Sequence, residues 1–341
     1  MSSETLENTS VFIAPSTTGK GRSTTCNEEH TLYPINLHPE WINYHPSADL
    51  TRCMMKMREK MFVHAFGCGI ETESAGRALN KGQVILRHDL AALPYLLAGE
   101  NDIVSAPPQR PEFIEYLVEK TGIHQLPEFR ENCINSAPEG YEVLPFGVPG
   151  DHMRRSNIAL YREDVAVCST IEEVRAAVER FAPKVVLKAE YSSGGQGLRW
   201  RWDGETEAWA KNRLKQDGRL TVEPFMDIVT ELSGEFLYGH WNGVSAVLVE
   251  HGMWRGQWLG DEHHIMSDEV YDFVFNQRQV EKALCALKVP ESCGMPCCGL
   301  DLAIVRTPEG SLQVRLLELN ARMNMVQHAS HCIAYDYVLA Y

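Results

Sequence analysis

The chain has 341 residues, of which 44% are hydrophobic and 23% charged, and its formal net charge is −14. This length predicts two or three domains of ordinary size. The negative charge argues against nucleic acid or an anionic membrane surface as the partner, and no apolar run approaches the roughly 20 residues of a membrane span. Because the N-terminus also lacks the basic-then-apolar pattern of a signal peptide, we expect a cytoplasmic protein.

The first 150 residues predict a tail followed by a small α/β domain. Residues 1–40 are polar and rich in Ser and Thr, which predicts a flexible tail. For the domain over 41–150, the pattern predicts helices over 54–66 and 111–121 and strands over 81–86 and 102–105. The helix over 111–121 is the clearest of these, since a proline opens it and Gly122 follows it.

A glycine-rich turn follows a short apolar strand in the segment 184–198, KVVLKAEYSSGGQGL, which an amphipathic helix over 171–181 precedes. Three glycines within four residues let backbone N–H groups point into one concavity, and such a nest suits a polyphosphate. An ordinary hairpin turn is the alternative for this segment taken alone. The candidate phosphate ligands are Lys188, Ser192, Ser193, Gly194, Gly195, Gln196 and Gly197.

A predicted β-hairpin carries acidic residues further along the chain. It consists of strands over 299–305 and 314–320 and a turn over 307–310. Residues two apart on a strand share a face, so Glu318 and Asn320 project together, and antiparallel pairing brings Asp301 opposite them. Two carboxylates and an amide oxygen suit Mg²⁺. The alternative, solvated strand residues, is weak, because both acids lie in apolar runs where an unpaired charge is costly.

A third signal lies between these two. A predicted strand over 220–225 ends in Glu223, Pro224 and Phe225, and Glu231 follows eight residues after Glu223. The backbone of a strand end can pair with an adenine edge, and a later carboxylate can hold ribose hydroxyls. This signal is weak alone, but the order of the three motifs is specific.

In this order the motifs resemble the ATP-grasp superfamily of ATP-dependent carboxylate–amine and carboxylate–thiol ligases, over about 151–329. The resemblance implies an α/β (α+β) ATP-grasp fold in which two α+β subdomains grip ATP. The lid subdomain would cover about 151–224 and the catalytic subdomain about 225–341. The domain over 41–150 would then be the small α/β domain that precedes the ATP-grasp domain.

The resemblance also implies roles for individual residues. Lys188 would contact ATP phosphates, with the glycine-rich loop covering them, and Arg322 would face the acyl phosphate or the substrate carboxylate. The adenine hinge and ribose ligands would be Glu223, Pro224, Phe225 and Glu231. The ligands of Mg²⁺, or of Mn²⁺ in its place, would be Asp301, Glu318 and Asn320. Two positions depart from the family: Gly299 stands where an arginine is frequent, and Arg154 or Arg155 takes the place of an upstream lysine.

The function that the resemblance implies is amide-bond formation in a biosynthetic pathway. A carboxylate would attack the γ-phosphorus of ATP, and an amine would displace phosphate from the acyl phosphate, with an amino acid or small peptide as substrate. His240 and Arg255, in an aromatic-rich segment, are the substrate-binding candidates, although that segment also fits a sheet core. A phosphotransferase and an idle nucleotide-binding protein are the alternatives, and a homodimer is common in the family.

Overall fold

The computed structural model describes residues 61–321, apart from gaps at 97, 122–125, 145–148, 193–194, 196, 238–239, 251–252, 259–262, 264 and 289–296. The predicted tail over 1–40 and Arg322 therefore lie outside the described residues. Within that part of the chain, no helix is long and apolar enough to cross a membrane.

The N-terminal sheet has four parallel strands in the order β3-β2-β1-β4. The strands are β1 Met61–His64, β2 Ile103–Val104, β3 Glu128–Phe129 and β4 Tyr141–Val143. The helices of this unit are α1 Ile70–Ser74, α2 Lys81–Asp89 and α3 Pro111–Thr121. Strand–helix alternation gives the α/β pattern that the sequence predicts, and the predictions of strand β2 and helix α3 are confirmed.

Two other predictions for this unit are wrong. The described part of the predicted helix over 54–66 contains β1, which lies between β2 and β4. A central parallel strand is buried on both faces, so its continuous apolar run resembles a helix segment. The predicted strand over 81–86 is the start of α2, where Asn80 and Gln83 form a reciprocal capping box. This local cap outweighs the β-propensity of the valine and isoleucine in the segment.

The second unit contains a four-stranded antiparallel sheet, called the lid sheet below, in the order β5-β8-β6-β7. Its strands are β5 Ala166–Cys168, β6 Val185–Ala189, β7 Leu198–Arg199 and β8 Leu220–Pro224. Helices α4 Ile171–Phe181 and α5 Gly204–Asp217 cover one face, and 3-10 segments over Asp151–Met153 and Arg155–Leu160 precede the sheet. Thr170 caps α4 in a capping box with Glu173.

Strand alternation decides which residues of the lid sheet face away from its helices. Val185 and Leu187 of β6, like Leu220 and Val222 of β8, belong to the core cluster shared with the helices. Because successive residues of a strand point to opposite faces, Lys188 of β6 and Glu223 of β8 point to the other side.

The third unit is a five-stranded antiparallel sheet, the large sheet, in the order β11-β10-β9-β12-β13. Its strands are β9 Ile228–Leu237, β10 His240–Glu250, β11 Met253–Trp258, β12 Cys297–Arg306 and β13 Leu312–Asn320. Helices α6 Asp268–Tyr271 and α7 Gln279–Leu287, joined by a π-helical turn over Asp272–Asn276, pack with its core. Leu300, Leu302 and Ile304 of β12 point into this core, so Asp301 points to the opposite face.

A β-bulge in the hairpin of β12 and β13 turns two polar side chains toward the face of Asp301. The register pairs Leu302 with Leu316 but Asp301 with Glu318, which leaves Leu317 as the extra residue. Leu316 and Leu319 consequently both point into the core, and Glu318 and Asn320 face the other way. The predicted hairpin is thus confirmed, including the pairing of Asp301 with Glu318.

Candidate active site

A buried network of charges joins the lid sheet to β13. Lys188 Nζ lies 2.9 Å from Glu223 Oε1 in an ion pair without hydrogen-bond geometry, and it donates a 3.2 Å hydrogen bond to the carbonyl of Leu317. The bulge leaves Leu317 unpaired with β12. The predicted phosphate-binding lysine therefore reaches the acidic end of the predicted metal hairpin.

Arg162, which no sequence motif indicated, completes this network. Its Nη1 donates to Glu223 Oε2 at 2.7 Å and to the carbonyl of Leu316 at 3.0 Å. Its other nitrogens form two hydrogen bonds to Asp164. Each oxygen of Glu223 thus faces a cation, which compensates for the burial of that carboxylate.

Arg155 connects the glycine-rich loop with Glu318. Its Nη2 donates to Glu318 Oε2 at 2.7 Å and its Nη1 to Ser192 Oγ at 2.7 Å. The guanidinium also contacts the carbonyls of Ala189 and Ser192, at 3.3 Å each. Only 6% of Arg155 is exposed, so its guanidinium is shielded from water.

The electrostatics around Arg155 place several predicted site residues near one another. Burial opposes the charged form of Arg155, but the negative charges of Glu318, Glu223 and Asp301 outweigh burial and raise its pKa above the ordinary value. Glu231 lies on β9 opposite Ala303 of β12. Burial raises the pKa of Glu231, and the charge of Lys188 partly offsets that rise.

The glycine-rich loop closes on itself at its base. The N–H of Ala189 donates to the carbonyl of Gly197 at 2.9 Å. A Cβ on Gly197 would lie 2.1 Å from Ser192 Oγ, so only glycine fits there without a shift of the loop. Gly195 has φ 80°, the left-handed region that favours glycine. Ser193, Gly194 and Gln196 lie outside the described residues.

The predicted metal ligands share one face of the large sheet. Asp301 and Glu318 are paired across β12 and β13, and Asn320 lies two residues after Glu318 on the same strand. Among the described residues, no group of three or more His, Cys, Asp or Glu could hold a metal ion by itself. The set of two carboxylates and one amide still fits Mg²⁺, because that ion binds one or two protein carboxylates and takes other ligands from phosphates.

The predicted adenine hinge differs from the arrangement observed. Both oxygens of Glu223 face cations, and the N–H of Phe225 donates to the carbonyl of Lys184 at 3.0 Å in continuation of the β6–β8 ladder. The adenine-hinge role of Glu223, Pro224 and Phe225 stays a prediction. Pro224 closes β8, and the side chain of Phe225 contacts Trp200 and Lys184.

The remaining candidates lie apart from this cluster or outside the described part. Arg154 pairs with Asp151 and with Glu190, so of the two upstream arginines only Arg155 reaches Glu318. Arg255 lies on the edge strand β11 and pairs with Glu250. His240 opens β10, but its side chain is among those not described.

No protein-family model and no curated protein matches the chain, whereas solved structures resemble it. N5-carboxyaminoimidazole synthetase of Staphylococcus aureus, in complex with ADP, is 10% identical in sequence, and its TM-score is 0.45. The match covers 82% of this chain and 78% of the synthetase. D-cycloserine synthetase is 12% identical, with a TM-score of 0.41, and the match covers 81% of this chain and 98% of that synthetase. A RimK domain ATP-grasp protein of Sphaerobacter thermophilus is 16% identical, with a TM-score of 0.36, and the match covers 59% of this chain and 72% of that protein.

These likenesses concern the fold alone. In this chain the candidate cleft is the space between the free face of the lid sheet and the polar face of the large sheet, where Lys188, Arg155 and Glu318 meet.

The polar face of the large sheet also carries a buried polar row that the sequence reasoning missed. Ser233 is paired with Asp301 across β9 and β12, and its hydroxyl donates to Glu235 at 2.8 Å. Gln257 of β11 donates to Ser245 of β10, also at 2.8 Å. The alternation ELSGEF over 231–236 was the signal that could have found the first pair, since its polar residues recur with period two.

Proposed function

We propose that this protein is an ATP-dependent ligase that joins a carboxylate to an amine, with an amino acid or small peptide as substrate, and releases ADP and phosphate. One observation carries the proposal: two buried cations of the lid, Lys188 and Arg155, reach the acidic end of the hairpin. A cleft lined by cations on one wall and hard oxygen ligands on the other suits a nucleotide triphosphate bound with Mg²⁺.

In this proposal the lid supplies the phosphate contacts. Lys188 lies on the free face of the lid sheet, between Glu223 and the carbonyl of Leu317, where its ammonium would meet the phosphates of a bound nucleotide. Arg155 already contacts Ser192 at the start of the glycine-rich loop. Both cations would stabilise the negative charge that spreads over the γ-phosphoryl group in transfer.

The hairpin would hold the metal. Asp301, Glu318 and Asn320 present oxygen ligands on one face, and bound Mg²⁺ would neutralise charge on the β- and γ-phosphates. A substrate carboxylate could then attack the γ-phosphorus, and an amine would displace phosphate from the resulting acyl phosphate. The buried polar row beside Asp301 offers acceptors for the amine. Closure of the glycine-rich loop would exclude water, which otherwise hydrolyses the acyl phosphate.

The decisive experiment measures products. The wild-type protein is incubated with ATP, Mg²⁺ and pooled carboxylates and amines, phosphate release is followed, and condensed products are detected by mass. We expect an amide together with ADP and free phosphate. If the products are ADP and a stable phosphorylated acid, the protein is a phosphotransferase and not a ligase. If the protein does not bind ATP with Mg²⁺ at all, the proposed site is wrong.

Substitution of Lys188 tests the site in the same assay. We expect Lys188→Met to lower turnover by about 10²–10³-fold, the usual effect of losing one group that stabilises transition-state charge. Lys211→Met is the matched control, because Lys211 lies on the outer helix α5 and pairs with Glu207. Equal turnover by the two variants would contradict the role of Lys188.

A further inference from the structure

Glu318 is contacted by a cation of the protein itself, although the proposed function gives this carboxylate to a divalent metal. The guanidinium of Arg155 donates to Glu318 Oε2 at 2.7 Å. The glutamate side chain is about one-quarter exposed and that of Arg155 is 5% exposed. The pair is therefore shielded on the arginine side and open on the glutamate side, from which an ion can approach.

A guanidinium and a divalent ion interfere at one carboxylate. Each draws on the same negative charge, and the two cations repel each other at short range because the site is partly desolvated. Asp301, paired with Glu318 in the hairpin, adds negative charge that attracts both cations. The position of Arg155 thus weakens metal binding as long as the guanidinium stays on Glu318.

The other contacts of Arg155 show where the guanidinium can go instead. Its Nη1 contacts the hydroxyl of Ser192 and the carbonyl of Ala189, at the two residues from which the glycine-rich loop departs. A phosphate bound beside Ser192 would lie within reach of the same guanidinium, which binds phosphate bidentately. Nucleotide binding can therefore draw Arg155 away from Glu318 without breaking its anchor on the loop.

Resting on the proposed function, we propose that Arg155 couples metal binding to nucleotide binding. Arg155 on Glu318 disfavours a divalent ion in the absence of nucleotide, and nucleotide phosphates take over the guanidinium and release Glu318 to the ion. The site then fills with metal and nucleotide together, which limits binding of the metal alone.

The test measures Mn²⁺ affinity by calorimetry and by the paramagnetic resonance of free Mn²⁺, with and without ADP. In the absence of ADP, we expect Arg155→Gln to bind Mn²⁺ at least about tenfold more tightly than the wild-type protein does. Tenfold is the low end of the effect that a cation in direct contact has on the affinity of a carboxylate for another cation. With ADP present, the gain should shrink, because the wild-type guanidinium has then left Glu318. ADP itself should bind more weakly to the variant.

The matched control is Arg154→Gln, which removes the same charge one residue earlier from a side chain paired with Asp151 and Glu190. It should leave Mn²⁺ affinity unchanged. If Arg155→Gln binds Mn²⁺ no more tightly than the wild type does in the absence of ADP, the proposal is overturned. This metal-only comparison stands even if the wild type binds no ADP, a result that would refute the proposed function instead.

A second variant keeps the proposal testable if Arg155→Gln does not fold. Glu318→Gln removes the metal carboxylate and leaves the guanidinium free for phosphate. ADP affinity in the presence of EDTA should equal or exceed that of the wild type, while Mn²⁺ affinity falls. Weaker metal-free ADP binding by Glu318→Gln would contradict the proposal, and the melting curve of each variant shows whether it is folded.

Discussion

Arg162 shows how much a single side chain can determine at the residue scale. It binds Asp164 near its own position, Glu223 in the lid sheet and the carbonyl of Leu316 in the large sheet. Its side chain is 4% exposed. An arginine in this position has its donors occupied by acceptors from two sheets, so it fixes the distance between them.

We expect Arg162→Met to destabilise the fold by about 3–5 kcal/mol, because removal of one member of a buried ion network leaves its partner uncompensated. Of the two cations in direct contact with Glu223, only Lys188 would remain. The measurement is the free energy of unfolding from urea titration. Arg175→Met is the control, since Arg175 pairs with Glu172 and Glu207 at the surface, and it should cost far less. Similar losses for the two variants would contradict this account.

At the scale of elements, a β-bulge and the closed base of a turn shape the cleft. The bulge at Leu317 shifts the register of β13 so that Glu318 and Asn320 join Asp301 on one face, and it leaves the Leu317 carbonyl for Lys188. The hydrogen bond from Ala189 to Gly197 continues the β6–β7 pairing and closes the base of the glycine-rich turn. A strand without the bulge would not bring Glu318, Asn320 and Asp301 to one face.

Gly197→Ala tests the narrow turn. The new Cβ would meet Ser192 Oγ at 2.1 Å and Ser192 Cβ at 2.4 Å, so Ser192 and its contact with Arg155 must move. We expect a loss of stability of about 1–3 kcal/mol, typical of overpacking, and weaker ADP binding in calorimetry. The control is Gly204→Ala at the start of α5, where nothing lies within 4 Å of the added Cβ. A Gly197→Ala protein with unchanged ADP affinity would refute the role of the turn.

At the scale of the whole molecule, the N-terminal unit packs against the base of the glycine-rich loop. Arg77, just after α1, donates to the carbonyl of Tyr191 at 3.3 Å and lies 3.5 Å from the buried carboxylate of Asp217. Ile70 of α1 packs with Met153 and Tyr191. The unit that precedes the lid therefore supports the residue from which the loop departs.

We expect Arg77→Ala to increase backbone hydrogen exchange in β6 and in the described part of the loop, because the Tyr191 carbonyl and Asp217 lose a partner. Arg87→Ala is the matched control: Arg87 binds Glu73 and the carbonyl of Cys68 within the N-terminal unit. It should loosen that unit and leave β6 protected. The same exchange in β6 for both variants would argue against transmission through Arg77.

The sequence predicted the parts of the fold whose signals are local. The amphipathic helix over 171–181, the proline that opens α3 and the turn between β12 and β13 all depend on neighbouring residues. The errors at β1 and α2 have one cause. A short apolar run fits a strand or a helix equally well, and its neighbours in space, or a cap, decide between them.

The candidate site likewise has features that the sequence predicted and features that only the tertiary structure decided. The order of the lysine, the glycine-rich loop and the acidic hairpin lies in the sequence, because each motif needs only adjacent residues to specify its chemistry. Tertiary structure alone decided that Arg155 and not Arg154 reaches Glu318, that Arg162 joins two sheets, and that Glu223 faces two cations. The hydrogen bonds of Arg155 to Glu318 and of Arg162 to the two sheets join residues 61 to 163 positions apart. Contacts over such separations depend on how the sheets pack, which no local pattern encodes.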